Sequence, residues 1–233
     1  MKFAVAVAIS GWVVACGLCS AQETAAAEPE TATFGITTVV PFGFCGRLYA
    51  IPEDTTLLPR FEQLQPLGNI YTNRLDVAPR SFQSGFPGVT GRFEWFAIDY
   101  TARFWVEEPG KYSFLLSSDD GAALYIDERR LVDNDGIHAP TSLTGNVSLT
   151  GGIHEIRVSY FQGPRFYVAL RLYVRPPKGK WQIFDTSNFK PPANPAHWKY
   201  PNTLNLDLTV DPCKAGGGQP GRLLNRGRAE SPR

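Results

Sequence analysis

The sequence predicts an all-β fold, an antiparallel β-sandwich of jelly-roll type with short helical turns at most. Three observations carry that prediction. Apolar residues recur at every second position in several segments, the period of a strand with one buried face. Turn residues separate these segments, and the chain holds 19 prolines and 22 glycines, which favour short strands and loops over long helices. No repeat of fixed period runs through the chain, so propellers and solenoids fall away.

Taken in order, residues 1–21 read as a secretory signal peptide rather than as part of the fold. Lys2 is the sole charge, an apolar run follows from Phe3 to Ala15, and Cys19-Ser20-Ala21 offers small residues before Gln22. The run is too short to span a bilayer, which needs about 20 apolar residues. Val13-Val14-Ala15-Cys16 also resembles a bacterial lipobox, which would put a lipid anchor on Cys16. Cleavage after Ala21 is the better placed of the two. Residues 22–33 are polar and alanine-rich and read as a flexible spacer. The domain is expected over 34–213, and residues 214–233, rich in Gly, Pro and Arg, as a disordered basic tail. The protein is therefore expected to be secreted, at the cell surface or periplasmic.

Within the domain, Leu58 to Leu67 could manage one or two helical turns, but Pro59 and Pro66 bracket it. Arg92 to Val106 is a long aromatic-rich strand candidate ended by Pro109-Gly110. Tyr112, Phe114 and Leu116 form one alternating series, Leu124 and Ile126 a second, and Ile156, Val158 and Tyr160 a third. Val168, Leu170, Leu172 and Val174 form the clearest.

Residues 22–213 carry 17 basic against 21 acidic side chains, a net of −4, which argues against a nucleic-acid partner. Removal of the leader leaves two cysteines, Cys45 and Cys213. In an oxidising compartment a lone pair is most simply a disulfide, worth about 4–5 kcal/mol in the chain-entropy treatment for so long a loop. The alternative is two buried thiols.

The residues that stand out chemically are Asp119 and Asp120, adjacent carboxylates at the end of a strand. Like charges so close destabilise each other unless a cation lies between them, and a hard metal ion bound by oxygens is the natural candidate. In a regular strand neighbouring side chains point to opposite faces. A cis peptide bond between the two aspartates would let both carboxylates face the same way. The competing reading is a solvated turn, Ser118-Asp119-Asp120-Gly121. Adjacent aspartates suit glycoside hydrolysis poorly, since that chemistry needs carboxyls about 5–9 Å apart across a bond. His138, His154 and His197 have no partner at zinc-ligand spacing, and no phosphate loop or nucleophile elbow is present. No enzyme is predicted.

Other motifs have simpler readings. Asp133-Asn134-Asp135-Gly136 begins like a calcium loop but has Ser142 where the glutamate belongs, and reads as a turn capping its own backbone. His138 and His154 are expected to satisfy loop hydrogen bonds. Asn146-Val147-Ser148 is a glycosylation sequon. Trp95, Trp105, Trp181 and Trp198 fit either core packing or sugar stacking; aromatics at alternating strand positions are usually core, and Trp198 and Tyr200, in a proline-rich segment, are the better surface candidates.

The run Gly110-Lys111-Tyr112-Ser113-Phe114, Ser117-Ser118-Asp119-Asp120-Gly121, Leu124-Tyr125-Ile126-Asp127 and Val132-Asp133-Asn134 resembles the signature of the protective-antigen (PA-fourteen) domain family. Gly151 to Val158, then Tyr160-Phe161, looks like that family's next hairpin, and Val168 to Val174 like its closing strand. The resemblance implies a β-sandwich of the kind found in adhesins, glycosidases, toxins and bacterial surface proteins. In sugar-binding members a cis-linked aspartate pair holds Ca²⁺, and vicinal sugar hydroxyls complete its shell. Asp119 and Asp120 match that pair, as both metal and sugar-binding residues, and Gln162 is the candidate for a further metal ligand. Asp127-Glu128-Arg129 departs from the family's usual Asp-Gly turn.

The reading is a secreted carbohydrate-binding module whose partner is a glycan or polysaccharide held through Ca²⁺, with specificity from loops 137–146 and 162–166. The alternative is a non-lectin structural or protein-interaction domain with no metal site.

Overall fold

The computed structural model describes residues 42–201 and Cys213. The expected signal peptide with its Cys16 anchor, the spacer, the domain start near Phe34 and the basic tail all lie outside those residues. The described chain is an antiparallel β-sandwich, as expected.

Eleven strands build it. They are β1 (Phe44–Ala50), β2 (Gly68–Thr72), β3 (Asp76–Ser81), β4 (Phe96–Val106), β5 (Gly110–Asp119) and β6 (Ala122–Ile126). The rest are β7 (Arg129–Asn134), β8 (Thr141–Leu149), β9 (Gly152–Gln162), β10 (Tyr167–Arg175) and β11 (Gln182–Ile183). One sheet runs β2-β1-β4-β9-β6-β7 and the other β11-β10-β5-β8, with β3 paired to β10. The four alternating series became β5, β6, β9 and β10, and Arg92 to Val106 supplied β4 from Phe96 onward. Between Leu58 and Leu67 only a single 3-10 turn forms, at Phe61–Gln63.

Alternation places one residue in two in the core. Phe44, Ile98, Tyr100 and Phe104 from one sheet meet Phe114, Leu116, Leu170 and Leu172 from the other, all fully buried. Burying side chains of this size stabilises by about 1.5–3 kcal/mol each, before the entropy of ordering the chain is subtracted. Edge-to-face rings fill the centre, Phe104 lying 5.5 Å from Phe184 and Phe44 5.9 Å from it. A smaller cluster of Ile51, Ala97 and Phe161 is roofed by Leu58, Phe61 and Leu64, which explains why the proline-bracketed segment is ordered without being a helix.

A disulfide joins Cys45 to Cys213, with Cα atoms 5.4 Å apart. Arg47 reinforces the junction by donating through Nη2 to the Cys213 carbonyl at 2.7 Å.

Three expectations are corrected. Residues 141–146, expected as loop, lie in β8 and pair with Ser113–Ser118 of β5. Asp133 and Asn134, expected in a turn, close β7, and the turn is confined to Asp135-Gly136. Trp198 and Tyr200 are half-buried on Trp105, at ring separations of 5.3 and 5.9 Å. No helix among the described residues is long and apolar enough to cross a membrane.

Candidate functional site

Strand β5 ends at Asp119, and the Asp119–Asp120 peptide bond is cis, as the aspartate pair led one to expect. Gly121 follows because nothing larger fits: a Cβ there would lie 2.8 Å from both the Asp135 carboxylate and the Gly136 nitrogen. Its carbonyl accepts from Phe161 N–H at 2.9 Å, which ties the turn to β9.

Strand β9 delivers the remaining groups. The Tyr160 hydroxyl, fully buried, lies 2.8 Å from the Asp119 carbonyl and 2.6 Å from Gln162 Oε1, with one proton to share between them. Gln162 Nε2 donates to the Tyr167 carbonyl at 3.0 Å and, at 3.4 Å, toward Asp120 Oδ2. Gly163 N–H donates to the same Oδ2 at 2.8 Å. A Cβ on Gly163 would stand 3.1 Å from that oxygen, so glycine lets the amide approach. From the other side His138 N–H reaches Asp120 Oδ1 at 3.2 Å.

Asp119, Asp120 and Gln162, separated by more than 40 positions, are thus brought together. Asp120 is oriented by two backbone amides from two loops. Gln162 braces it through its nitrogen, while its oxygen is engaged by Tyr160. The amides of His138 and Gly163 escape sequence reasoning, because a backbone donor leaves no residue-type signal. Tyr160 was legible only as a core position.

Both aspartates are buried, and both are pushed toward the neutral form. Burial, and then the charge of Asp120, raise the Asp119 carboxyl from 3.8 to about 7. Burial raises Asp120 as well, against the pull of the Gly163 and His138 amides. No cationic side chain donates to either carboxylate among the described hydrogen bonds and ion pairs. The donor set is therefore oxygen-rich and negatively charged, and the charge of nearby His138 offsets burial only in part, which suits a hard divalent cation. Calcium takes six to eight oxygens. Among the described residues no group of three or more His, Cys, Asp and Glu side chains gathers as a metal cluster, so neutral oxygens, water or ligand would supply the balance.

A second carboxylate site lies elsewhere on β9. His154, expected to satisfy loop hydrogen bonds, does so with both ring nitrogens: Nδ1 lies 2.6 Å from Asp127 Oδ2 and Nε2 3.0 Å from the Thr150 carbonyl. Both partners are acceptors, so the ring must carry two protons to satisfy them.

With this geometry in view, residues 83–187 match the PA14 domain family model. That stretch is PA14-like. Strands β1, β2 and β3 precede it and complete the two sheets of the sandwich. Solved structures agree in fold. A "PA14 sugar-binding domain from RTX adhesin" superposes with a TM-score of 0.50 at 18% identity, over 62% of this chain and 96% of its own. The PA14 domain of the MpAFP antifreeze protein gives 0.52 at 16% identity, over 65% and 91%. An anti-sigma factor domain-containing protein gives 0.52 at 19%, and this chain spans only 50% of its length. No curated protein matches the chain.

Proposed function

We propose that this PA14-like domain is a secreted, non-catalytic carbohydrate-binding module that holds its sugar through Ca²⁺ at Asp119 and Asp120. The observation that carries the reading is a buried aspartate pair, one member raised to about 7, to which no cationic side chain donates a hydrogen bond among the described residues. A buried charge is costly unless it is paired or coordinates a metal. The likeness to a domain described as sugar-binding supports the choice of ligand, and the disulfide fits an oxidising compartment.

Bound there, calcium would supply positive charge and open positions for vicinal hydroxyls of a sugar. The chain's own residues do the positioning. The Gly163 and His138 amides fix the plane of the Asp120 carboxylate, and Tyr160 anchors the Asp119 carbonyl. Gln162 is held against Asp120, one amide rotation from presenting its oxygen as a further ligand. The loop 163–166 then borders the site on one side and 135–140 on the other, and these set the choice of sugar.

A glycan array probed in calcium and again in chelator tests the reading. Calcium-dependent binding that Asp120→Asn abolishes, with an unchanged fold by circular dichroism, is the expected result. Binding indifferent to chelator, or its absence together with a melting temperature indifferent to 10 mM calcium, would assign the domain to the structural class instead.

A further inference from the structure

The far end of β5 carries a second feature of the opposite charge. From residue 156 to residue 184 the chain has no acidic residue and six basic ones, Arg157, Arg165, Arg171, Arg175, Lys178 and Lys180, although the net charge of the whole sequence is only +1. The first three are neutralised locally, by Asp99, Glu94 and Asp76 at 3.4, 3.4 and 2.8 Å. Among the described residues, Arg175, Lys178 and Lys180 have no ion-pair partner, and all three are exposed.

The fold gathers these three at one corner of the five-stranded sheet. Strand β11 pairs Gln182 with Val174, which sets Trp181 beside Arg175, and the guanidinium stacks 5.0 Å above the indole. Trp181 is still 40% exposed. Arg175 Nη2 donates to Ser113 Oγ at 3.2 Å, and Ser113 in turn donates to Asn146 Oδ1 at 2.7 Å, so the arginine is held flat against a hydroxyl-rich sheet face. Between Arg175 and Trp181 the chain turns, with Gly179 N–H donating to the Pro176 carbonyl at 3.0 Å. Lys178 takes φ of 58° inside that turn, a conformation glycine adopts freely and a long side chain does not. The turn packs on Gly110, where a Cβ would lie 2.8 Å from the Pro177 ring. Lys111, exposed, is the next residue of β5 and joins the same corner. The nearest acids in sequence are Glu107 and Glu108, which line a cleft with Trp105 and Tyr112 that Pro176 borders, and Asp185, whose carboxylate accepts from Ser187.

We propose that the corner formed by Lys111, Arg175, Lys178 and Lys180 around Trp181 is a docking surface for an acidic glycan chain, one bearing carboxylate or sulfate groups. Four cations with no acid among them supply charge complementarity. An exposed indole supplies a flat apolar face for a pyranose ring, and the exposed amide of Asn146 supplies a partner for hydroxyls. Eight residues of β5 separate Lys111 from Asp119, about 26 Å at strand rise, so this surface is distinct from the aspartate pair and does not rest on the calcium reading.

Native gels cast with hyaluronan, or with neutral dextran as control, provide the test on the mature full-length chain. Hyaluronan is expected to retard the wild type equally in calcium and in chelator, with at least tenfold weaker apparent binding in 0.5 M salt. Arg175→Ala combined with Trp181→Ala should lose at least tenfold, and Lys178→Glu with Lys180→Glu as much, while Asp120→Asn should bind like wild type. Melting curves confirm that these exposed substitutions leave the fold intact. Absence of retardation at low salt, or retention of it in both double variants, overturns the proposal. So does equal binding to single-stranded DNA or to phosphatidylserine vesicles, which would mark a generic polyanion surface. Retardation that vanishes in chelator and in Asp120→Asn would also overturn it, because binding would then belong to the aspartate pair.

Discussion

Two carboxylate sites touch strand β9, and they differ in one respect, whether an imidazole of the chain is hydrogen-bonded to the carboxylate. Burial alone would raise Asp127, but the hydrogen bond from His154, the Glu155 amide and the His154 charge outweigh it and hold its carboxyl below 3.8. Burial alone would likewise lower His154, yet the Asp127 hydrogen bond, the Thr150 carbonyl and the Asp127 charge raise it above 6.5. At Asp119 and Asp120 burial acts the same way and backbone amides are again present, but the charge of nearby His138 offsets burial only in part, and its ring donates to backbone carbonyls rather than to either carboxylate. Similar surroundings therefore produce shifts of opposite sign. One site is held charged by its hydrogen-bonded partner, and the other is pushed toward the neutral form.

The largest effect that should separate the two sites is the response to calcium. Stabilisation should reach about 2.7 kcal/mol when the ion is at a hundred times its dissociation constant. Thermal unfolding in calcium and in chelator measures it. The shift should persist in His154→Gln and disappear in Asp120→Asn.

The next effect belongs to the site held charged. His154→Gln leaves Asp127 without its cation, and a loss of about 1–2 kcal/mol in urea unfolding is expected, moderated because the Asp127 side chain is 46% exposed. A loss within error would show the pair to be a surface contact.

A matched substitution then probes the contrast directly. Asp127→Asn should destabilise by about 1 kcal/mol, whereas Asp119→Asn in chelator should stabilise by about 0.5 kcal/mol, since it removes one of two repelling charges. Equal signs in denaturant titrations would dissolve the distinction.

The smallest effect is the pH dependence of the His154 pair. His154 is raised, so its contribution is complete below about pH 6.5 and is lost as pH rises through its folded value. Asp127 is lowered, so its contribution is present above about pH 3.8 and is lost as pH falls through its folded value. Both operate between those limits. The difference in unfolding free energy between wild type and His154→Gln should therefore be greater at pH 5.5 than at pH 8.5. A difference that is the same at both values, or an imidazole that titrates below 6.5 by NMR, would contradict the assignment.

Strands β4, β5, β6, β9 and β10 were legible because each buries alternate large apolar residues, as Val168 to Val174 does. Those that escaped carry little apolar patterning. Strand β8 reads TSLTGNVSL and lies at a sheet edge with most side chains exposed, β3 contains Pro79, and β7 opens with Arg129-Arg130. Edge strands are defined by the neighbour they pair with, and one sequence does not name that neighbour. The site divides in the same way. Asp119 and Asp120 announced themselves by adjacency, whereas Gln162 came only from the family resemblance, since nothing in its flanking residues marks it. The amides of His138 and Gly163 depend on two loops closing over the pair, and the match of His154 with Asp127, 27 positions away, depends on the β6–β9 register.

The bond between Cys45 and Cys213 has a mechanical meaning. Cys45 is the second residue of the first strand, and 168 positions separate it from its partner. Tension applied to the chain before Cys45 and after Cys213 would pass from one sulfur to the other and leave the strands between them unloaded. The two sheets would hang beside the line of force. A protein pulled from both ends would keep its two sheets folded until that covalent link was reduced.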